Sequence, residues 1–429
     1  MSLTQDLVRL IRQKEITQYD LDAAALFTLD AVANAMAGRR SEAGKKLIEL
    51  MTRLNATGDA GRQALLLGGL THIIEMDDLH RASVVHPGCV VIPAAFALAK
   101  QTKAGGVNFL SAVLHGFEAT CRVGMAVGQE HYRIWHSTAT CGPFGSAMAA
   151  AHLLELSEDA CIDALGNAGT QAAGLWEFLD TGAMSKHLHA GRGAEAGVIA
   201  AELAAIGFSG PPKILEGERG LFAGACPDAD PAAIVADAAG RWQLHETSIK
   251  PWPSCRHTHP AIDAALELSG TFDPELIDSI CVKTYQAAID ICDRPEPDGV
   301  YEAKFSLQHC VVAALVNGNV DFSSFEDAAR NEHAADRYKI RLVADAPYLS
   351  AYPKDWGAAV LVTLSGGEKF QALRHHCKGD PQDALSKDEM KDKARMLMDL
   401  GEVSNPDQLI ADILAMAEGG AVPVLPVFD

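Results

Sequence analysis

The stretch Glu75-Met76-Asp77-Asp78-Leu79-His80-Arg81, followed by His86-Pro87-Gly88 and the apolar run Cys89-Val90-Val91-Ile92-Pro93, decides how the chain is read. Two adjacent carboxylates, an arginine and two imidazoles sit at a turn just before a helix rich in small apolar residues. A structural turn beside a buried helix has little use for so many ionisable groups. Comparable groups recur further on: His136, the run Lys186-His187-Leu188-His189, and Cys255-Arg256-His257-Thr258-His259, each bordering a segment of helical periodicity.

Outward from there, the chain divides by texture. Residues 1–245 read as successive helices with glycines at their ends, including segments near 113–127, 142–156 and 188–206. Glu118 and Arg122 stand one helical turn apart and predict an ion pair. Gly191, Gly193 and Gly197 each cost a helix roughly 1 kcal/mol against alanine, which implies either close helix crossing or room for a ligand. Beyond 250, strands are predicted at 277–285 and 338–343 and a hairpin at 358–364 and 369–373, interleaved with helices near 259–270, 303–317 and 323–331. Two more helices, 387–399 and 406–418, follow. The expected fold class is mainly α: a helical domain of residues 1–245, completed by helices in 383–429, and a smaller α+β domain at 246–382.

The 429 residues carry 48% apolar and 21% charged side chains, as an ordinary globular protein does. A net charge of −20 argues against a nucleic-acid partner. The ten cysteines form no C-x-x-C pair, which predicts reduced thiols in a cytoplasmic protein and offers no iron–sulfur ligand set. No signal peptide is read at the N-terminus, and no apolar run approaches the about 18 residues of a membrane span.

The motifs, taken together and in order, resemble the MmgE/PrpD family, which includes 2-methylcitrate dehydratases and cis-aconitate decarboxylases. They are Asp77-Asp78-x-His80…His86-Pro87-Gly88, Trp135-His136-x-Thr138, Lys186-x-Leu188-His189-x-Gly191-Arg192, Gly207-Phe208-x-Gly210-Pro211, Pro253-x-Cys255-x-His257-x-His259-Pro260 and Phe305-Ser306-Leu307. The resemblance implies a homodimer, a C-terminal segment returning to the first domain, and an active site in the cleft between the domains. It implies a cofactor-independent lyase of a small di- or tricarboxylate, with no bound metal.

Such chemistry moves a proton beside a carboxylate, holds the carboxylates, and stabilises developing negative charge. Imidazoles suit the first task because their pKa lies near neutrality, and fixed cations suit the others. His136 and His86 are therefore acid/base candidates, their roles interchangeable at this stage. Lys186 is the carboxylate anchor, with Ser185 as the cap of its helix and Arg192 as a second cation. Asp77 and Asp78 orient His80, Arg81 or His86, or carry a proton. Glu75, Lys250, Arg256, His257 and His259 complete the expected substrate-binding set.

Three positions depart from the family pattern: Glu75 where Asp is expected, Leu79 where Thr is expected, and His309 where a Tyr is usual. The last replaces a phenol of pKa about 10 by an imidazole of about 6.5, so His309 joins the acid/base candidates and epimerisation of a substituted dicarboxylate becomes the second reading. Two other classes compete. A metal-dependent hydrolase would use His257-x-His259, His187-x-His189 or Asp77-Asp78-x-His80 as ligands. A binding protein would have kept the fold and lost the chemistry.

Overall fold

The computed structural model describes residues 2–55 and 58–427. Its contacts separate two compact units, Met1–Ile249 with Ser386–Asp429, and Lys250–Leu385. The first is built of helices and the second adds a four-stranded sheet, so the fold is mainly α with a smaller α+β part.

In the first unit the Ser185–Ala205 helix is central, packing on the helices Ser137–Leu153, Ala60–His72, Glu158–Gly169 and Gly88–Thr102. Its glycines allow those approaches. A Cβ on Gly197 would lie 2.0 Å from the Ser146 hydroxyl, and one on Gly191 2.4 Å from the Leu65 carbonyl. Close helix crossing, of the two readings the sequence left open, accounts for both positions. Gly145 serves the same end opposite the Gly106–Ala126 helix, where a Cβ would meet the Thr120 hydroxyl at 1.7 Å.

Helix starts lie earlier than the periodicity suggested. The segment read as 113–127 begins at Gly106, that read as 142–156 begins at Ser137, and that read as 188–206 begins at Ser185. Each early turn carries polar or small residues buried by tertiary contacts, which weakens the apolar repeat there. Ser185 is not the cap; that position falls to Met184, with no side-chain cap. Glu118 does pair with Arg122, at 2.8 Å and fully buried, and also accepts from Lys14 and from the Gln243 N–H.

The helix Lys387–Leu400 packs on Gln18–Gly38. Its Lys393 ammonium is buried, 2.5 Å from Asp30 and 2.7 Å from the Met76 carbonyl. A residue from the end of the chain thereby holds the backbone next to Asp77.

In the second unit the strands run in the order Ile340–Ala344, Ile277–Thr284, Ala358–Leu364, Lys369–Arg374. The first pair is parallel and the others antiparallel. The segment expected as one helix at 303–317 is two, Val300–Ala303 and Leu307–Asn317. The break lets Ser306 cap the second, accepting the His309 N–H at 3.0 Å. The stretch 323–331 likewise divides, into a 3₁₀ turn at Phe322–Phe325 and a helix at Asp327–Glu332.

All ten cysteines are free thiols. No helix among the described residues is long and apolar enough to cross a membrane. Replacing Lys393 by Met leaves Asp30 buried without its ammonium, a change that costs about 3–5 kcal/mol. Urea unfolding of Lys393→Met is expected to show a midpoint lowered accordingly, with an unchanged slope.

Candidate functional site

The opening stretch leaves the Ala60–His72 helix, turns at Glu75 in the left-handed region (φ 64°), and enters the Gly88–Thr102 helix. Leu79 and His80 pair antiparallel with Ser248 and Thr247. Asp78 closes the turn: both its carboxylate oxygens accept the Gly88 N–H, each at 3.0 Å. A Cβ at Gly88 would meet those oxygens at 2.9 Å and displace the carboxylate. Burial, with the charges of Asp77 and Asp30, pushes the Asp78 carboxyl well above the usual range.

Asp77 points the other way. Its Oδ2 lies 2.6 Å from His72 Nδ1 and 3.3 Å from His86 Nδ1, and its buried Oδ1 has no hydrogen-bond partner among the described residues. Burial alone would raise its pKa, but the His72 and His86 imidazoles hold it well below the ordinary value, as a carboxylate. The His72 ring meets His86 edge-on at 4.7 Å and stacks with His136 at 5.6 Å.

His136 precedes the Ser137–Leu153 helix, and its N–H donates to the Gly174 carbonyl. The ring is buried against Trp176 (4.6 Å between centroids), with Nδ1 3.3 Å from His189 Nδ1. Burial first, then the neighbouring His72, Lys186, His189 and His86, hold His136 well below its usual pKa. Burial first, then His72 and Lys186, bring His187 and His189 to about 4. Lys186 is buried in the first turn of the Ser185–Ala205 helix and pairs with Glu75.

Glu75, Asp77, His86, His136 and Lys186 therefore gather around His72 and His189. Arg192 and His80 turn to partners of their own. Arg192 is exposed and pairs with Glu195. His80 bonds Ser83 and Gln243, its pKa lowered to about 4 by burial. Arg81 is buried.

In the second unit Arg256 pairs with buried Asp380 and reaches His259 Nδ1 at 3.0 Å. His257 stacks on Trp356 (4.4 Å, 3°) and takes the Tyr285 hydroxyl at 2.7 Å; burial lowers its pKa to about 3. Lys250 is buried. His309 Nε2 lies 2.7 Å from the Ser324 carbonyl, and burial brings this imidazole to about 4.

The residue pattern singled out neither His72 nor Trp176. His72 sits at the end of an otherwise apolar helix, and the available signal was its five-residue distance from Asp77. For a metal ion, the ligand fragments expected from sequence do not converge: His257 and His259 turn to different partners. Among the described residues the one set of three whose ligand atoms all lie within 4.8 Å of one another is His72, Asp77 and His86.

A buried imidazole with a lowered pKa binds fewer protons in the fold than in the unfolded chain. Its stabilisation is fully present above pH 6.5 and is lost as pH falls toward its folded pKa. Thermal stability is expected to fall from pH 7 to pH 5, by up to about 1.4 kcal/mol per pH unit for each such imidazole. The fall is shallower in His187→Asn.

Residues 5–234 match the MmgE/PrpD N-terminal domain and residues 252–415 the MmgE/PrpD C-terminal domain. Similar proteins include cis-aconitate decarboxylase of Aspergillus terreus, 29% identical over 60% of this chain and 57% of that protein. The cis-aconitate decarboxylase-like protein oryM of Aspergillus oryzae is 28% identical over 78% of this chain and 74% of its own length. Human cis-aconitate decarboxylase is 27% identical over 77% and 71%. The match thus spans 57% of the length of the Aspergillus terreus enzyme.

Proposed function

Because the chain belongs to the MmgE/PrpD family, we propose that it is a cofactor-independent lyase of a small di- or tricarboxylate. The observation that carries this reading is the cluster of buried His72, Asp77 and His136 with half-buried His86 and His189, beside Lys186. The relatives named as cis-aconitate decarboxylases support it.

In this reading His136, kept neutral by its surroundings, takes the proton beside the substrate carboxylate. His86, held by Asp77, delivers a proton. In a dehydration that proton goes to the departing hydroxyl, which leaves as water while the carbanion's electron pair forms the double bond. In a decarboxylation no C–H proton is removed: the carboxylate leaves as CO2, the electron pair of the broken C–C bond stays on carbon, and that carbon takes the proton from His86. Lys186 holds a second carboxylate and offsets the charge that develops.

The changes at Glu75, Leu79 and His309 favour one alternative, epimerisation of a substituted dicarboxylate. That reaction needs only a proton removed from one face of a carbon and returned on the other.

Proton NMR in D2O, with chelator-treated protein and a panel of citrates, cis-aconitate, malates and amino-dicarboxylates, separates these outcomes. Loss of water or CO2 establishes the lyase. Deuterium entering a Cα position without net conversion establishes the epimerase. Activity that returns only with added metal overturns both. On the substrate so found, His136→Asn and Lys186→Met are expected to lower kcat/KM by about 10²–10⁴-fold. With His136 as base, the acid limb of kcat/KM falls below pH 6.5, since only protonation of that imidazole at its lowered pKa stops the reaction.

A further inference from the structure

Glu75 occupies an unusual place. Its backbone is in the left-handed region (φ 64°), which a residue with a Cβ adopts at a cost of order 1 kcal/mol. The turn nevertheless puts its carboxylate on the ammonium of Lys186, 111 residues away, with both side chains buried. Family resemblance leads to an expectation of Asp here, and the extra methylene of Glu lengthens the reach toward that ammonium.

The pairing alters the charge a ligand would meet. Asp77 adds a carboxylate to the same cluster, and His136, His187 and His189 are disfavoured as cations by burial and by Lys186 itself. Lys186 supplies positive charge that Glu75 already opposes. In a buried setting each further anion is costly unless a cation meets it.

We propose that Glu75 is a specificity-determining residue: by holding Lys186 in an ion pair, it limits the site to ligands with two carboxylates and disfavours those with three. The inference rests on the reading of this cluster as a polycarboxylate site. It narrows the substrate class to dicarboxylates, and it assigns Glu75 a role by repulsion as well as by pairing.

Two unreactive anions on related carbon chains, glutarate with two carboxylates and tricarballylate with three, serve as probes in calorimetric titrations of the full chain. The wild-type protein is expected to bind glutarate the more tightly. Glu75→Gln, which keeps shape and removes charge, is expected to gain tricarballylate affinity by about tenfold and glutarate affinity by less than about threefold. The double variant Glu75→Gln/Lys186→Met is expected to lose that gain. Glu75→Asp, which retains a carboxylate but draws it back from Lys186, is expected to shift in the same direction by less, and it keeps the test open if Glu75→Gln fails to fold.

Equal gains for both probes, a gain that survives loss of Lys186, or no difference between probes in any variant overturns the proposal. Neither probe reacts, so these results stand apart from the turnover test. A silent substrate panel would remove the lyase reading and leave the charge discrimination measurable.

Discussion

Burying two adjacent carboxylates is the constraint from which the site's geometry follows. Asp77 and Asp78 share one turn of backbone inside a helical unit, where neither is solvated. The fold resolves this by giving them opposite partners. Asp77 meets two imidazoles and stays a carboxylate, whereas Asp78 meets a backbone N–H and is pushed toward its neutral form. One acid thereby orients the His72 and His86 rings while the other fixes the start of the Gly88–Thr102 helix. Lys393, from the far end of the chain, completes the arrangement by binding Asp30 and the carbonyl of Met76.

Crowding then sets the chemistry. His136 and His189 lie close together, and His136, His187 and His189 all feel His72 and Lys186, in surroundings that disfavour another positive charge. Imidazoles kept neutral can accept protons, which a lone exposed histidine does only in part at neutral pH. The same crowding separates the roles of the acidic groups: Asp77 faces the imidazoles and Glu75 faces the ammonium.

Much of this was legible in the residues. The hairpin strands Ala358–Leu364 and Lys369–Arg374 follow from alternation broken by Ser365-Gly366-Gly367, a purely local signal. Asp77, His86, His136 and Lys186 were singled out because ionisable groups at helix entries are chemically conspicuous. The starts at Gly106, Ser137 and Ser185 were not legible, because their first turns carry small or polar residues, among them Gly106, Ser137 and Lys186, that packing buries. Nor was His72, a single polar residue at the end of an apolar helix whose significance lies in the Asp77 contact.

The sequence by itself determined the family, the mainly α class and the set of ionisable residues, since these rest on residue order and periodicity. Tertiary structure alone decided which of those residues meet. Glu75 against Lys186, Asp77 against His72, and Arg256 against Asp380 are pairings between charges, and charge pairing depends on distance in space. The same holds for the glycines of the Ser185–Ala205 helix, whose role was fixed by the Ser146 hydroxyl and the Leu65 carbonyl packed against them.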